Sequence, residues 1–467
     1  MTITPRALLY RLHWEARSRA EGFGLMQALR LLRESERWAR PRLDALRDEK
    51  LRRVVTHAYA ESPGYRKLMD AHGVRPEHIH GVADLSRLPI LTKDLLRERN
   101  EELRCRDQTA VEYGVTGGTT GNPLKIARDR KGSVWQRAEY WRGFGWAGLE
   151  LGDRFAQVFG GTLGVVAPRP MNRLKSWFAG KVFLPAFELG PHNAEAYLEV
   201  IRRSGAQYLI GYTSAIYLLA RYLERKGAGI HLRAVFPTAE LLPVDWAEVI
   251  ARVFGAKVLP YYGCGEVHSL GYACPEADGA IGQTTYHTCD EHAIIEVETA
   301  GGATATAGEG AFLISDLDNL ATPILRYRNG DAGEIAGPGC RCGRSLGRIV
   351  RLDGRVNDVL YTERGDAISG AIGPHAFRNV VGVEQYQLVQ RRIGELVLRI
   401  VALPAYAAAV EEPKLLRIFS GHLGAATAIT FDYVKDIPRT AAGKARFVIS
   451  EVGSPAAPAP VSGSTTP

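Results

Sequence analysis

The sequence predicts an α/β protein with a buried, partly parallel sheet, because strand-like and helix-like segments alternate through its middle part. The predicted strands cover 207–211, 234–236 and 257–261, and the predicted helices between them cover 215–226 and 246–254. This alternation is typical of crossover units in which helices cover a sheet. Later changes of pattern indicate that this sheet belongs to the larger of two domains.

The domain division follows from chain length and from the places where the pattern changes. At 467 residues the chain is longer than a single hydrophobic core usually supports, so we expect at least two domains. We predict a large domain of mixed sheets flanked by helices and a small α+β domain. Their boundaries are 1–355 (with a helical lead-in at 1–100 and a β-rich subdomain at about 280–355) and 356–452, followed by a disordered Pro-, Ala-, Ser- and Thr-rich tail at 453–467.

Further elements are predicted from apolar periodicity and capping residues. Thr92 is a candidate N-cap for a short helix. The other predicted elements are strands at 293–297, 311–315, 386–389, 395–401 and 428–434, and a helix at 412–423.

The lead-in begins with leucines at helical spacing between arginines, namely Leu8, Leu9 and Leu12. We expect this stripe to pack on the large domain. The alternative is that a basic amphipathic helix at 8–19 lies on a membrane surface.

The composition narrows the class of protein. With 46% apolar and 24% charged residues the chain has the composition of a soluble globular protein. No apolar run is long enough to span a bilayer, and no signal-peptide core follows residues 1–6, so we expect a cytoplasmic protein. The net charge of +8 is compatible with nucleic acid, anionic lipid, or anionic ligands such as ATP and CoA. No arginine- and aromatic-rich reader motif favours nucleic acid, and an ordinary arginine-rich surface explains the charge most simply.

A glycine- and threonine-rich stretch at 115–125 is the most distinctive local feature of the chain. Three glycines and three threonines fill positions 116–121, and Asn122 and Pro123 follow. Glycine lets a backbone approach a ligand closely, and consecutive amide N–H groups with threonine hydroxyls can hold phosphate oxygens. The stretch is not the P-loop of strand–loop–helix NTPases, because no Gly-Lys-Ser/Thr follows Gly121. Taken alone, an ordinary turn is the alternative.

Four further glycine-containing or charged stretches follow in a fixed order, and five together are hard to explain by chance. They are 238–240 with 261–266, 308–310 with 326–331, 353–358, and 437–444. Together they resemble the motifs of the adenylate-forming superfamily, which includes acyl-CoA synthetases, luciferases and peptide-synthetase adenylation domains. The chain is most similar to the phenylacetate-CoA ligase and capsule-biosynthesis branch, on the residues at 57–59, 62–65, 88–93, 212–217, 340–344 and 439–450.

The resemblance covers nearly the whole chain and implies a large N-terminal adenylate-forming domain with a mobile C-terminal lid. It also implies an ATP site. The phosphates would lie on Thr116, Gly117, Gly118, Thr119, Thr120 and Gly121. Adenine would lie near Glu240 and Tyr262, and the ribose hydroxyls would bind Asp331. The neighbouring positions of this implied site are Lys125, Ala239, Tyr261, Gly263, Arg355 and Asn357.

Three residues match the charged catalytic positions of the family. Glu266 would bind Mg²⁺, for which a carboxylate is a suitable hard ligand. Arg355 would pair with ribose or phosphate as a fixed cation. Lys444 would stabilise the negative charge that builds on the α-phosphate and carboxylate oxygens during adenylation.

The chain departs from the family pattern at three positions. Gly265 replaces the usual Thr or Ser before the acidic residue, which removes one hydroxyl contact to the α-phosphate. Leu124 replaces a usual lysine, with Lys125 beside it as a substitute. Asn357, followed by Asp358, stands at the hinge, where Asp or Lys is usual. These changes affect expected efficiency and hinge behaviour, but an active enzyme is still implied.

The cysteines predict a zinc site. Cys274, Cys340 and Cys342 are soft thiolate ligands suited to Zn²⁺, and related proteins of the branch have a similar cysteine pattern. His268 is the first candidate for the fourth ligand, with Cys264 and His287 as alternatives. Simple burial of the thiols is the competing interpretation, and it is our interpretation for Cys105 and Cys289.

The implied activity is ATP-dependent ligation of a carboxylic acid, which the branch suggests is aromatic. The acid would form an acyl-AMP with release of pyrophosphate, and the acyl group would pass to CoA. The alternatives are an amide- or ester-forming ligase of polysaccharide or secondary metabolism, and a non-catalytic nucleotide-binding scaffold, against which Lys444 argues. Neither nucleic acid nor a transmembrane segment is expected. The resemblance allows a homodimer.

Overall fold

The computed structural model describes twelve stretches of the chain, which fall into two compact units divided after Gly354. The described residues are 4–115, 125–159, 170–186, 189, 192–277, 284–299, 301–355, 359–365, 367–369, 372–377, 380–438 and 447–452. No helix among them is both long enough and apolar enough to cross a bilayer.

Helices and 3₁₀ turns fill the first hundred residues. They are α1 (Pro5–Ala20), α2 (Leu25–Ser35), α3 (Arg40–Glu61), α4 (Pro63–Ala71), α5 (Lys93–Glu98) and α6 (Asn100–Leu103), with 3₁₀ turns at Pro76–His78 and Val82–Arg87. The N-cap predicted at Thr92 is confirmed, since its hydroxyl accepts from the Leu95 N–H at 3.2 Å.

Helix α1 forms as the periodicity predicts, but it packs through a different face. Leu8, Leu9 and Leu12 are 49%, 58% and 55% exposed, so the expectation that they pack on the domain is wrong. Arg6 is buried instead, because its guanidinium donates to the carbonyls of Gly152 at 2.6 Å and Phe178 at 2.8 Å. The helix therefore has a second apolar face, which the fold does not cover.

Most strands of the first unit belong to one large sheet, and the first two strands in the chain form a separate two-stranded sheet. The strands are β1 (Glu112–Val115), β2 (Lys125–Arg128), β3 (Phe155–Phe159), β4 (Lys181–Pro185), β5 (Tyr208–Tyr212), β6 (Ala234–Thr238), β7 (Lys257–Val258), β8 (Tyr261–Cys264), β9 (His268–Ala273), β10 (Tyr286–Thr288), β11 (Ala293–Glu298), β12 (Thr304–Ala305), β13 (Gly308–Asp316), β14 (Tyr327–Ala336) and β15 (Arg348–Arg355). The helices are α7 (Arg130–Gly145), α8 (Pro170–Phe178), α9 (Ala194–Ser204), α10 (Thr213–Arg225) and α11 (Val244–Phe254).

The large sheet changes from parallel to antiparallel at β8. Its order is β12-β11-β13-β14-β15-β10-β9-β8-β6-β5-β3-β4, with β7 beside β6. Strands β4, β3, β5, β6 and β8 pair in parallel, and all five residues of β5 are buried, as expected where helices cover both faces. The region at 280–355, which we expected as a β-rich subdomain, extends this same sheet through the antiparallel pairing of β10 with β9.

The second unit is a small α+β structure. It contains β16 (Val359–Tyr361), β17 (Ala367–Ser369), α12 (Ile372–Phe377), β18 (Val383–Gln390), β19 (Glu395–Ala402), α13 (Ala408–Leu423), β20 (Ala428–Tyr433) and β21 (Val448–Ser450). Its sheet has the order β20-β19-β18-β21. The ring of Phe377 stacks on that of Tyr386 at 4.0 Å in a core that includes Phe419. The assignment of this unit as a mobile lid stays a prediction.

Candidate active site

A two-stranded hairpin flanks the glycine- and threonine-rich stretch. Strands β1 and β2 are antiparallel, and Val115 lies opposite Lys125, an exposed residue. The stretch from Thr116 to Gly121 that was predicted to bind phosphate falls within 116–124, which lies outside the described residues.

A buried arginine connects this hairpin to the segment that contains Glu266. The Arg128 guanidinium donates to the carbonyls of Gly265 at 2.8 Å and Glu266 at 3.2 Å. A side chain at Gly114 would have to displace this guanidinium from its place. Burial lowers the pKa of Arg128. Sequence reasoning missed this residue, because no motif distinguishes it from the other arginines of the chain.

Glu266 is a buried carboxylate in the turn between β8 and β9. It is 7% exposed, and the Tyr327 hydroxyl donates to its Oε1 at 2.7 Å. Burial and then the nearby Glu266 raise the pKa of Tyr327, so the phenol remains a proton donor. This contact fixes one carboxylate oxygen at the junction where the sheet changes direction.

Asp331 on β14 lies in a second polar group. The Tyr262 hydroxyl donates to its Oδ2 at 2.7 Å, and the Asn329 amide donates to the same oxygen at 2.6 Å. Burial and then the Asp331 charge raise the pKa of Tyr262 well above its ordinary value. Two donors on one oxygen hold the carboxylate in a single orientation.

The carboxylates of Glu266 and Asp331 both act on the same two side chains, Cys264 and Tyr327. Burial raises the pKa of the Cys264 thiol, and the charges of Glu266 and Asp331 raise it further; the same holds for Tyr327. The structure thus brings together two residues that are 65 positions apart in the chain, as the sequence motifs predict.

The two adjacent tyrosines of β8 point in opposite directions, as alternation along a strand requires. The Tyr261 ring stacks on Tyr272 with centroids 5.5 Å apart and meets the Phe144 ring edge-on at 5.1 Å. Tyr261 is therefore part of an aromatic core, and its ring does not join Tyr262 and Asp331. Gly263 follows in the same strand.

The predicted adenine position at 238–240 lies where β6 ends. Ala239 has a φ of +69°, a left-handed conformation that is strained for a residue with a side chain. The Glu240 carboxylate accepts from the backbone N–H of Ser214 at 2.7 Å and from its hydroxyl at 3.1 Å. The carboxylate is thus engaged at the N-terminus of α10, where a negative charge is favourable.

Three predicted residues have side chains outside the described part of the chain. Arg355 ends β15, but its side chain is not described, and Asn357 and Lys444 fall in the gaps at 356–358 and 439–446.

Cys274, His287, Cys340 and Cys342 form a compact cluster at the other end of β9. Their ligand atoms all lie within 4.8 Å of one another. The Cys274 and Cys340 sulfurs are 3.8 Å apart, and His287 Nε2 is 3.1 Å from the Cys342 sulfur. Tetrahedral zinc with Zn–S bonds of about 2.3 Å places its sulfurs about 3.8 Å apart, so this donor set fits the ion.

The pairing of three strands assembles this cluster. His287 on β10 lies opposite Tyr272 of β9 and Arg348 of β15, and Cys274 follows the end of β9. His268, the first candidate from sequence, starts β9 at its opposite end and lies outside the cluster, as does Cys264 across from it. Burial lowers the pKa of His287 to about 4, which keeps the imidazole neutral, as metal binding requires.

Comparison with known proteins found similar sequences and a similar fold. A family model described as the CapK C-terminal domain matches residues 360–451. A phenylacetate-coenzyme A ligase of Thermus thermophilus is 27% identical over 398 residues, covering 78% of this chain and 81% of that protein. Protein CapK of Staphylococcus aureus is 22% identical over 419 residues, which cover 87% of this chain and 89% of that protein. A crystal structure of 2-hydroxyisobutyryl-CoA ligase in the postadenylation state, in complex with R3-HIB-AMP, matches this chain with a TM-score of 0.70 at 19% identity. The match covers 88% of this chain and 91% of that one.

The α/β fold predicted from the sequence is confirmed. The relatives agree with the resemblance to the adenylate-forming superfamily and to its branch of phenylacetate-CoA ligases and CapK. Glu266 and Asp331 lie within the motifs that the resemblance assigns to nucleotide binding.

Proposed function

We propose that this protein is an ATP-dependent acid–CoA ligase that works through an acyl-AMP. The observation that carries the proposal is the paired placement of Glu266 and Asp331. Glu266 is buried and Asp331 is half-buried, and a tyrosine hydroxyl orients each of them, beside a hairpin that flanks the glycine- and threonine-rich stretch. Relatives named phenylacetate-coenzyme A ligase support CoA as the acceptor and an aromatic acid as the substrate.

The reaction has two half-reactions. In the first, a carboxylate oxygen of the acid attacks the α-phosphorus of ATP, a new P–O bond forms, and pyrophosphate leaves. In the second, the CoA sulfur attacks the acyl carbonyl, a thioester C–S bond forms, and AMP leaves with loss of the thiol proton. Positioning and charge stabilisation contribute most of the catalysis in such transfers.

The described residues supply the positioning. Asp331, which accepts from Tyr262 and Asn329, is the acceptor that the resemblance assigns to the ribose hydroxyls. Glu266 fits Mg²⁺, because its carboxylate is a hard donor whose other oxygen is left for the ion when Tyr327 holds Oε1. When bound, that ion would neutralise phosphate charge. Arg128 keeps the Glu266 segment fixed to the base of the hairpin.

Pyrophosphate release with a panel of aromatic and aliphatic acids tests this function. Release that depends on the acid, together with an acyl-CoA product identified by mass spectrometry, is the expected result. Acid-dependent release without acyl-CoA, but with product when an amine or alcohol is supplied, would identify an amide- or ester-forming ligase instead. Nucleotide binding without any acid-dependent release would leave the scaffold alternative.

We propose a structural zinc ion for the cluster of Cys274, His287, Cys340 and Cys342. A site with four protein ligands has no open coordination position and is therefore structural rather than catalytic. The ion would link the ends of three neighbouring strands, β9, β10 and the connection into β15.

A further inference from the structure

Helices α1 and α8 present an uncovered apolar surface. Among the described residues thirteen large apolar side chains are exposed, and five of them lie on these two helices. They are Leu8, Leu9 and Leu12 on α1, and Leu174 and Trp177 on α8. A concentration of this kind on two neighbouring helices is more than the scattered exposure expected of any protein surface.

The two helices pack against each other, so their exposed residues lie on neighbouring elements of the unit. The Tyr10 ring meets the Phe178 ring edge-on at 5.1 Å, and His13 lies 6.1 Å from the same ring. Arg6 fixes the start of α1 to the end of α8 through the Phe178 carbonyl at 2.8 Å. Tyr10, Arg6 and Ala7 thus attach the helix, and the leucines take no part in its attachment.

The charges around this surface are mostly positive. Arg11, Arg17, Arg19 and Lys175 accompany the exposed apolar residues, and Glu15 is the acidic residue within the two helices. Glu15 already pairs with Arg30 at 2.8 Å, while Arg19 is 76% exposed and lies 3.8 Å from Glu15. Arg11 lies 3.8 Å from Asp153 and Arg17 lies 2.7 Å from Glu21, so the cations are partly paired but outnumber the acids. Exposed leucines and a tryptophan beside an excess of cations match the composition of helices that lie in a membrane interface.

We propose that α1 and α8 form a peripheral docking surface for an anionic phospholipid membrane. The leucines and Trp177 would enter the boundary between headgroups and acyl chains, with Arg19 and Lys175 against the lipid phosphates. A second copy of the chain fits this surface less well, because a two-fold contact would bring together the cations of both copies, which outnumber the neighbouring acids.

Co-sedimentation of the full chain with lipid vesicles tests this inference. The protein is expected to bind vesicles that contain phosphatidylglycerol, and to bind phosphatidylcholine vesicles far more weakly. Replacing Leu8, Leu9 and Leu12 together by Ser should weaken binding at least about ten-fold, because each loses apolar area buried in the interface. Arg19→Gln should weaken binding to anionic vesicles about five-fold and leave the weak binding to neutral ones unchanged.

The matched control is Val200→Ser with Val410→Ser, which changes apolar residues of similar exposure outside the two helices. It should bind vesicles as the parent does. Because about half of each leucine is already exposed, the triple variant should stay folded and keep its acid-dependent pyrophosphate release. Trp177→Ala is an independent variant, expected to weaken binding without touching α1.

Two results would overturn the proposal. One is a parent protein that stays in the supernatant with anionic vesicles, or a triple variant that binds them as well as the parent. The other is a dimer in sedimentation velocity that the triple variant dissociates while no vesicle binding occurs, which would assign the surface to a second copy.

Discussion

The two ends of β9 carry clusters of opposite chemistry. Before its first residue, Glu266 and the nearby Asp331 offer hard carboxylate oxygens held by phenol and amide donors. After its last residue, Cys274 joins His287 and two further cysteines in a group of soft donors. A strand of six residues spans roughly 20 Å, so the two clusters are separate sites on one element.

The two clusters differ in what their loss should do to the protein. In the carboxylate site, phenol and amide donors orient the carboxyl groups. The thiolate cluster has four donors facing one point, which closes the site. Loss of the first should therefore abolish chemistry and spare the fold, and loss of the second should do the reverse.

The largest expected effect is on stability. Zinc should co-purify at about one per chain, and Cys340→Ser with Cys342→Ser should remove it and reduce the free energy of unfolding by about 4 kcal/mol, as loss of a structural metal does. Activity per folded molecule should change little. Metal analysis and chemical denaturation measure the two quantities, with Cys105→Ser, a buried thiol outside the cluster, as the control.

Histidine variants sharpen the same test. His287→Ala should lose zinc, and His268→Ala should keep it, because only the former lies in the cluster. A zinc-free parent protein of full stability, or zinc retained by His287→Ala and lost by His268→Ala, would contradict the assignment.

The next largest effect concerns the charge on Lys444. Lys444→Ala should reduce acid-dependent pyrophosphate release on the order of 10²–10³-fold, which is the loss expected for one group that stabilises developing charge. Transfer from a supplied acyl-AMP to CoA should survive, since in the family the lid rotates between the half-reactions. Equal loss of both half-reactions, or of neither, would exclude Lys444 as the adenylation lysine and remove the main support for a mobile lid.

Glu266→Gln tests the carboxylate end of β9 directly. The change keeps the Tyr327 hydrogen bond but removes the charge, so kcat/KM should fall on the order of 10²-fold while the unfolding temperature stays. Glu309→Gln, an exposed acid on β13, is the control. A stability loss in Glu266→Gln as large as that of the cysteine double variant would contradict the proposal that the carboxylates serve catalysis and the cysteine cluster serves stability.

Sequence alone named Glu266 and Asp331, because both lie in stretches of fixed order and spacing, and their part in nucleotide binding stays a prediction. It failed for Arg128, whose role depends on the pairing of β1 with β2 and on where this hairpin meets the β8–β9 turn. It also favoured His268 over His287. In the structure, the antiparallel pairing of β10 with β9 decides which histidine reaches the sulfurs.

Helix α1 shows a different reason for failure. Periodicity located the helix, but two of its faces are apolar, and periodicity does not tell which one packs. The buried face contains Arg6, which a hydropathy pattern assigns to solvent, and which is buried because carbonyls of Gly152 and Phe178 accept its N–H groups. Long-range hydrogen-bond partners of this kind are not encoded locally.

A smaller effect is expected from the threonines of the predicted phosphate loop, which lie outside the described residues. Thr119→Ala with Thr120→Ala should raise the dissociation constant for ATP about ten-fold, as the loss of hydrogen bonds to charged oxygens implies. The unfolding temperature should be unchanged. ATP affinity equal to the parent's, measured by titration calorimetry, would remove this loop from the site.

The smallest effect is expected for Tyr262→Phe. This change deletes the hydroxyl that donates to Asp331 Oδ2 and leaves the Asn329 amide on the same oxygen, so Asp331 keeps its charge but is oriented by one donor fewer. The KM for ATP should rise about three- to ten-fold with little change in kcat, the range for one hydrogen bond. Tyr261→Phe is the matched control, since that ring packs against Tyr272 and has no part in holding Asp331. If both variants raised the KM equally, a general loosening of β8 would explain the effect, and the polar group around Asp331 would lose its place in the site.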